Sequence, residues 1–396
     1  QTKIREVSQR YCMALEAQRL VHSLSIGERQ RVEIIRCLMQ DIRLLILDEP
    51  TSVLTPQEAD DLFITLRRLA AEGCSILFIS HKLAEVRALC HSATVLRGGR
   101  VAGHCVPAEC SDQQLAQMMV GEAAALIGDY PKASGGAVFL QVSGLSWHNP
   151  DPFGCSLAGI DLQVRSGEIV GVAGVAGNGQ DELLALLSGE QTLSRVEAET
   201  IRFGHQAVAD LRPDARRRLG LAFVPAERLG HGAVPELSLA DNALLTAFQQ
   251  GLVSNGLIER GKVEALAQQI IQRFGVKTPN TQTAARSLSG GNLQKFILGR
   301  EILQQPKLLI AAHPTWGVDV GAAATIHRAL IALRDAGAAI LVISEDLDEL
   351  FQISDRLGAL CGGKLSALQN TTDTQLSDVG GWMAGQFDAP QQHATV

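Results

Sequence analysis

The 396 residues suit two to three domains rather than one, and a hydrophobic share of 46% is enough to bury real cores. A formal net charge of −7 and a pI near 5.8 give no broad basic footprint for a nucleic-acid backbone. No apolar run reaches the ~18 residues of a bilayer span. Eight cysteines in so long a chain, with no signal-peptide pattern, make no disulfide scaffold and point to a reducing cytosol.

The chain starts at Gln1, already inside a helical pattern, as a fragment would. Ser25-Ile-Gly-Glu28 opens a helix expected to run to about Met39. Ser25 and Glu28 make a capping box, but a helix N-terminus where Gly27 permits close approach is also an anion site. A strand over 42–47 then delivers Asp48-Glu49-Pro50-Thr51 at its carboxyl end, where α/β sheets place ligands. Asp48 there suits Mg²⁺, and Glu49 suits a water attacking a γ-phosphate, although an apolar strand ending in Asp-Glu is also an ordinary solvated turn. A strand over 75–80 ends at Ser80-His81, and His81 can reach the γ-phosphate and the water or serve the fold alone. His104, Cys105 and Cys110 match no zinc spacing and read as a turn with small buried side chains.

Residues 128–136, with Pro131, Ser134 and paired glycines, read as a linker. Trp147 stands 33 residues ahead of Gln180, where an aromatic stacks on adenine or fills the core, with Phe153 as competitor. A strand over 168–173 leads into Gly174-Val-Ala-Gly177-Asn-Gly179. The basic run Arg212 to Arg218 reads as a solvated helix face, Glu227 in Pro225-Ala-Glu-Arg228 is given no chemistry, and 240–287 reads as a helical insertion without a strong strand. At Ser289-Gly-Gly-Asn292 the capping acid is gone while both glycines remain, which favours phosphate binding over capping. Strands over 307–311 and 339–344 follow.

These stretches form one repeat. Leu24-Ser-Ile-Gly27 matches Leu288-Ser-Gly-Gly291, Leu44 to Ile46 match Leu308 to Ile310, and Ile79-Ser80 match Ile343-Ser344, all at one offset of 264 residues. Gly98-Gly99 and Gly362-Gly363 keep the register, so about 75 residues recur without a gap, too long a period for a solenoid. A whole domain is duplicated. Gly174 lies 114 residues before Leu288, so the matching loop of the first copy is expected ahead of Gln1 and the first domain is expected to be incomplete. The expected organisation is the C-terminal part of a first α/β domain over 1–127, the linker 128–136, a second domain over 137–388 and a tail over 389–396. Strands alternating with helical segments imply a mainly parallel sheet.

Together the residues resemble the ATP-binding-cassette (ABC) family: the signature Leu24-Ser-Ile-Gly-Glu28 with Gln30-Arg31, the Walker B run ending Asp48-Glu49-Pro-Thr51, and the switch His81. Leu288-Ser-Gly-Gly-Asn-Leu-Gln-Lys295 is similar to the second signature of fused double-cassette subunits that drive sugar and nucleoside importers. The segment 311–321, with Pro314-Thr-Trp-Gly-Val-Asp319, and Ser344-Glu-Asp-Leu347 resemble the nucleoside branch. The resemblance spans about residues 4 to 385. It implies tandem P-loop NTPase domains with a helical insertion, ATP and Mg²⁺, integral-membrane permease subunits and, indirectly, a substrate-binding protein. It also implies a bacterial location on the cytoplasmic face of the membrane, no nucleic acid, and either two copies or one two-domain chain per transporter.

Family architecture further implies head-to-tail composite sites, and the substitutions make them unequal. In the second copy Gln180 replaces the P-loop lysine and Asp181 the Mg²⁺-binding hydroxyl. Ala312 replaces the Walker B aspartate, His313 the glutamate and Glu345 the histidine, while Gly174, Gly177 and Gly179 persist. His313, with an ordinary pKa of ~6.5, has a basic nitrogen but no metal ligand beside it. The expected hydrolytic site combines Asp48, Glu49 and His81 with Ser289, Gly290, Gly291, Asn292 and Asp319. Ser25 and Gly27 are expected to face the degenerate half. A soluble ABC protein acting on ribosomes or DNA is the alternative; a Rossmann reading fails on glycine spacing and leaves the duplicated signatures unexplained.

Overall fold

The computed structural model describes residues 2–11, 18, 21, 26–40, 42–51, 56–80, 82–97, 100–111, 114–115, 118, 130–133, 135–152 and 154–387. Ser25, His81, Phe153 and the tail 389–396 therefore lie outside the described residues, as do the side chains at 26–28. Two compact units comprise residues 1–128 with 175–177, and residues 129–174 with 178–396.

In the first unit, helices α1 (Thr2–Arg10) and α2 (Ile26–Leu38) precede strand β1 (Leu44–Asp48), helix α3 (Pro56–Ala71), strand β2 (Ser75–Ile79) and helix α4 (Leu83–Leu89). An antiparallel hairpin, β3 (Ala93–Arg97) and β4 (Arg100–Cys105), follows. β1 and β2 pair in parallel, from Leu44 beside Ser75 to Asp48 beside Ile79. Alternate residues of β1 face opposite sides, so Leu45 and Leu47 pack with Ile34, Ile35, Phe63 and Leu66 in this unit's core. On the other side Leu44, Ile46, Leu77 and Ile79 are 45–57% exposed. At 104, the imidazole Nδ1 lies 3.0 Å from Thr94 Oγ1.

The second unit has the full sheet. Strands β5 (Val138–Trp147) and β6 (Leu157–Arg165) pair with each other, and β8 (Ile201–Phe203) and β9 (Gln206–Ala207) extend them into a four-stranded antiparallel layer. The parallel layer orders as β10 (Leu221–Val224), β13 (Leu308–Ala312), β14 (Ala339–Ser344), β7 (Glu168–Ala173) and β15 (Arg356–Cys361). Short antiparallel strands β16 (Lys364–Leu365) and β17 (Gln369–Asn370) close its edge. Helices α5 (Gln180–Ser188) and α6 (Pro213–Arg218) flank it, and α7 (Leu239–Ala247), α8 (Arg260–Arg273) and α9 (Gly290–Ile302) form the helical insertion. The insertion also carries a small hairpin, β11 (Val253–Ser254) with β12 (Leu257–Ile258), too short to register as a strand in the sequence. Helices α10 (Val320–Asp335), α11 (Leu347–Ile353) and α12 (Leu376–Met383) complete the unit.

The duplication holds at the level of elements. α2, β1, α3 and α4 have the same bounds as α9, β13, α10 and α11 when shifted by 264 residues. Burial separates the copies. Leu308, Ile310, Leu341 and Ile343, counterparts of the four exposed residues of the first unit, are at most 1% exposed and pack with Leu183, Leu186, Ile160 and Leu162. That covering comes from α5 and the antiparallel layer. Likewise β7 lies between β14 and β15, whereas among the described residues β2 and β3 belong to separate sheets.

The basic run 212–218 is not a plain solvated face. Arg218 pairs with Asp214 in solvent, but Arg217 reaches the fully buried Glu301 at 2.8 Å. Arg216 is fully buried, donating to the carbonyls of Leu186, Leu187, Leu211 and Ala209. It thereby satisfies the orphan carbonyls at the end of α5, and burial pushes its pKa down to about 10. Because substitution strands several buried acceptors, Arg216→Met is expected to cost about 3 kcal/mol in a denaturant titration. A loss under about 0.5 kcal/mol, the size of an ordinary surface change, would contradict this role.

Candidate nucleotide site and its altered counterpart

In the first unit, β1 ends in exposed Asp48 at the carboxyl edge of a parallel pair. The chain then turns through Glu49, which adopts a left-handed φ of 45° while its amide donates to the Ile79 carbonyl at 2.9 Å. Such a conformation is costly for a residue with a Cβ and persists where surrounding structure enforces it. The donor set fits a hard cation: Asp48 offers carboxylate oxygen where a Mg²⁺ bridging phosphates would sit.

The second unit repeats this backbone with different chemistry. His313 has φ 46° and its amide donates to the Ile343 carbonyl at 2.8 Å. Ala312 precedes it, fully buried and without a ligand atom. Burial lowers the His313 pKa, opposed by Glu349, Asp181 and Asp346. Asp181 opens α5, and desolvation followed by the adjacent Glu182 raises its pKa, opposed by His313 and His231. The glycine loop keeps its frame: Gly177 and Gly179 take φ of 87° and 111°. A Cβ at Gly179 would stand 2.8 Å from the Leu157 side chain. Gln180 is 5% exposed and folds back, its Oε1 accepting from the Asn178 amide at 3.0 Å. Its Nε2 fills the space beside Gly174, only 2.2 Å from where a Cβ there would sit. These residues do not fit a Mg²⁺ held by a hydroxyl and a Walker B carboxylate.

Ser289 stands at the N-cap of α9 without capping it; its hydroxyl accepts instead from Asn292 Nδ2 at 2.9 Å. The first-turn amides of α9 are therefore not satisfied by that side chain, as an anion-binding end requires. Asp319 caps α10, accepting from the Ala322 amide at 2.9 Å, a structural task the sequence reading did not give it. Trp147, at the end of β5, is half-buried and packs against the core. Glu345 stands at the end of β14, next to Ser344.

Arg228 is the residue sequence reasoning passed over. Its Nε donates to Gln294 Oε1 at 3.1 Å, its Nη2 donates to the Trp316 carbonyl, and the guanidinium stacks on the Trp316 ring at 5.6 Å. Gln294 in turn donates to the Pro314 carbonyl at 3.1 Å. One side chain thus ties the 225–228 segment to the signature helix and to the turn after β13. Gly290 leaves it room, since a Cβ there would meet Arg228 Nη1 at 2.5 Å. The signal in the sequence was an arginine following the noted Glu227, but nothing local names its partners.

His231 lies 2.5 Å from Glu190, and that hydrogen bond, against burial, raises its pKa above 6.5. A raised folded-state pKa means the pair stabilises fully below the unfolded value and is lost as pH rises through the folded one. His231→Gln is therefore expected to destabilise at about pH 5.5 and to be nearly neutral at about pH 9, compared by denaturation at both. An unchanged difference across that range would contradict the pairing.

A parallel sheet whose strand ends carry a glycine loop, an acidic turn and a Ser-Gly-Gly helix start, built twice along one chain, defines a nucleotide-binding P-loop cassette. The ABC transporter family matches residues 1–52 and 157–316, and the chain belongs to that family. It is an ABC-type ATPase chain. It is 37% identical over 384 residues to the nucleoside import ATP-binding protein NupA of Lactococcus lactis, covering 97% of this chain and 75% of that protein. It is 39% identical over 391 residues to the glucose import ATP-binding protein TsgD13 of Haloferax volcanii, covering 98% and 70%. The ribose import ATP-binding protein RbsA 1 of Rubrobacter xylanophilus is 37% identical over 362 residues, covering 91% and 70%. In shape, an archaeal ribosome recycling factor, aABCE1, aligns over 97% of this chain and 71% of its own with a TM-score of 0.66 at 18% identity. A dimeric cassette, MJ0796, bound to ADP and Pi aligns over 59% of this chain and 98% of its own, with a TM-score of 0.51 at 18% identity. Those two likenesses concern the fold alone.

Proposed function

We propose that the chain is the ATP-hydrolysing subunit of an importer for a sugar or nucleoside, working at the cytoplasmic face of the membrane with integral permease subunits and a substrate-binding protein. The import names of relatives 37–39% identical over at least 91% of the chain support this, while the ribosome factor resembles it only in fold. Within it, one composite site hydrolyses ATP: Asp48, Glu49 and His81 of the first cassette with Ser289, Gly290, Gly291, Asn292 and Asp319 of the second. The other, built on Gly174, Gly177, Gly179, Gln180, Asp181, Ala312, His313 and Glu345 with Ser25 and Gly27, does not. The observation carrying this reading is the matched pair of left-handed turns, with Asp48-Glu49 in one and Ala312-His313 in the other.

In this reading Mg²⁺, held by Asp48, neutralises charge on the phosphates. Glu49 orients a water and accepts its proton, and His81 hydrogen-bonds the γ-phosphate. The α9 amides behind Ser289 and the open approach at Gly291 accommodate the transferred group's negative charge.

The 396-residue chain by itself is expected to hydrolyse Mg²⁺-ATP little or not at all, because its one glycine-rich P-loop carries Gln180 in place of the phosphate-holding lysine. Robust hydrolysis abolished by Glu49→Gln would refute that. For the transport reading, ATPase of the chain supplied with an upstream lysine-bearing P-loop should rise when the permease and a loaded binding protein are added. Stimulation by ribosomes instead, with none by the permease, would favour the soluble alternative.

A further inference from the structure

We propose that Glu85 is a positioning residue for hydrolysis, holding the loop that bears Glu49 and the loop that bears His81 in one fixed relation. The inference rests on the hydrolytic reading of the first cassette. Glu85 lies in the first turn of α4 and is 8% exposed. Its Oε1 accepts from Thr51 Oγ1 at 2.5 Å and its Oε2 accepts from Ser80 Oγ at 2.8 Å. Thr51 is two residues beyond Glu49, and Ser80 is the residue before His81. Ser80 Oγ also accepts from the Lys82 amide at 3.0 Å, so the residues on both sides of His81 are held, and Lys82 Nζ stands 3.8 Å from Glu85.

One carboxylate thus spans the carboxyl ends of two adjacent parallel strands. Two hydroxyl donors to a shielded anion are among the stronger neutral-to-charged hydrogen bonds, and fixing both loops removes freedom that Glu49 and His81 would otherwise lose at the transition state.

The second cassette contains the same brace. Glu349 accepts from Thr315 Oγ1 at 2.7 Å and from Ser344 Oγ at 3.0 Å, and Ser344 Oγ accepts from the Asp346 amide at 3.1 Å. A buried His327, standing where the first cassette has Phe63, adds a contact to Glu349 at 3.1 Å. There the braced loops carry His313 and Glu345 instead of a glutamate and a histidine. The fold of the strand ends needs the brace in both copies, but only in the first does it align groups with a chemical task. Glu349 is therefore a built-in control for Glu85.

The experiment has two arms. In the 396-residue chain, Glu85→Gln should speed amide exchange across 44–51 and 75–87; unchanged exchange overturns the brace. In the assembled transporter, with a lysine-bearing P-loop supplied upstream, Glu85→Gln should lower kcat about 10- to 100-fold while KM for ATP stays within about twofold, since misplacement of reacting groups costs rate rather than ground-state binding. Glu349→Gln removes the same bonds and should keep kcat within about twofold. If Glu85→Gln does not fold, Thr51→Val combined with Ser80→Ala removes both donors and is expected to give the same kcat loss. Equal kcat losses for Glu85→Gln and Glu349→Gln, or wild-type kcat for Glu85→Gln beside an inactive Glu49→Gln, overturn the proposal. Wild-type turnover in Glu49→Gln would instead remove the hydrolytic reading beneath it.

Discussion

Glu49→Gln is expected to lower kcat by roughly 10²- to 10⁴-fold in the chain supplied with a lysine-bearing P-loop and assembled with its permease, whereas His313→Ala leaves it within about twofold. The two residues occupy equivalent left-handed turns, with φ of 45° and 46° and matching amide bonds to Ile79 and Ile343. Geometry therefore does not distinguish them. What differs is the company: Asp48 beside Glu49 offers a ligand for Mg²⁺, while Ala312 offers none and burial disfavours the protonated form of His313. The Gln variant keeps the shape and hydrogen-bonding reach of Glu49 but is not a base, so protein stability should change little. Parallel ATPase assays of the two variants decide the point, and comparable losses would mean that both sites perform chemistry.

Gly291→Asp is expected to remove nearly all turnover in the same assembly, a loss of about 10²-fold or more, while Gly27→Asp has a much smaller effect. A Cβ at Gly291 would meet only Val318 and the Gly317 carbonyl, none nearer than 3.5 Å. Those are ordinary contacts, so the variant should fold. The damage is electrostatic: a carboxylate is placed in the first turn of α9, where unsatisfied amides favour an anion of their own. Gly27 occupies the matching place in α2, yet the site assigned to it already lacks the lysine and both acidic groups. If Gly27→Asp proves the more damaging, the pairing of signatures with sites is reversed. Gly290 is the wrong position for this test, because any side chain there would first displace Arg228.

Most of the central fold was legible. The runs at 44–48, 75–79, 168–173, 308–312 and 339–344 are continuous apolar strands that local composition identifies, and the 264-residue offset carried the assignment from one copy to the other. The antiparallel layer was less visible, although β6 alternates inward Leu157, Ile160, Leu162 and Val164 with outward residues. Its register slips against β5 break the simple period of two. The basic run 212–218 misled because charge patterning counts residues on a face, whereas Arg216 is taken inward by four carbonyls from distant and local turns.

The sequence alone determined the duplicated domain, the family and the chemical inequality of the two copies, because each of those depends on residue identity at a fixed spacing. Tertiary structure decided what those residues are attached to. That Glu49 and His313 share one strained turn, that Gln180 closes on its own loop, and that Arg228 meets Trp316 are facts about groups far apart in sequence or about backbone angles. The bond from Glu85 to Thr51 spans 34 residues and the one from Arg228 to Trp316 spans 88. No local propensity encodes such pairs, since they exist only after burial of the apolar strands has brought the loop ends together.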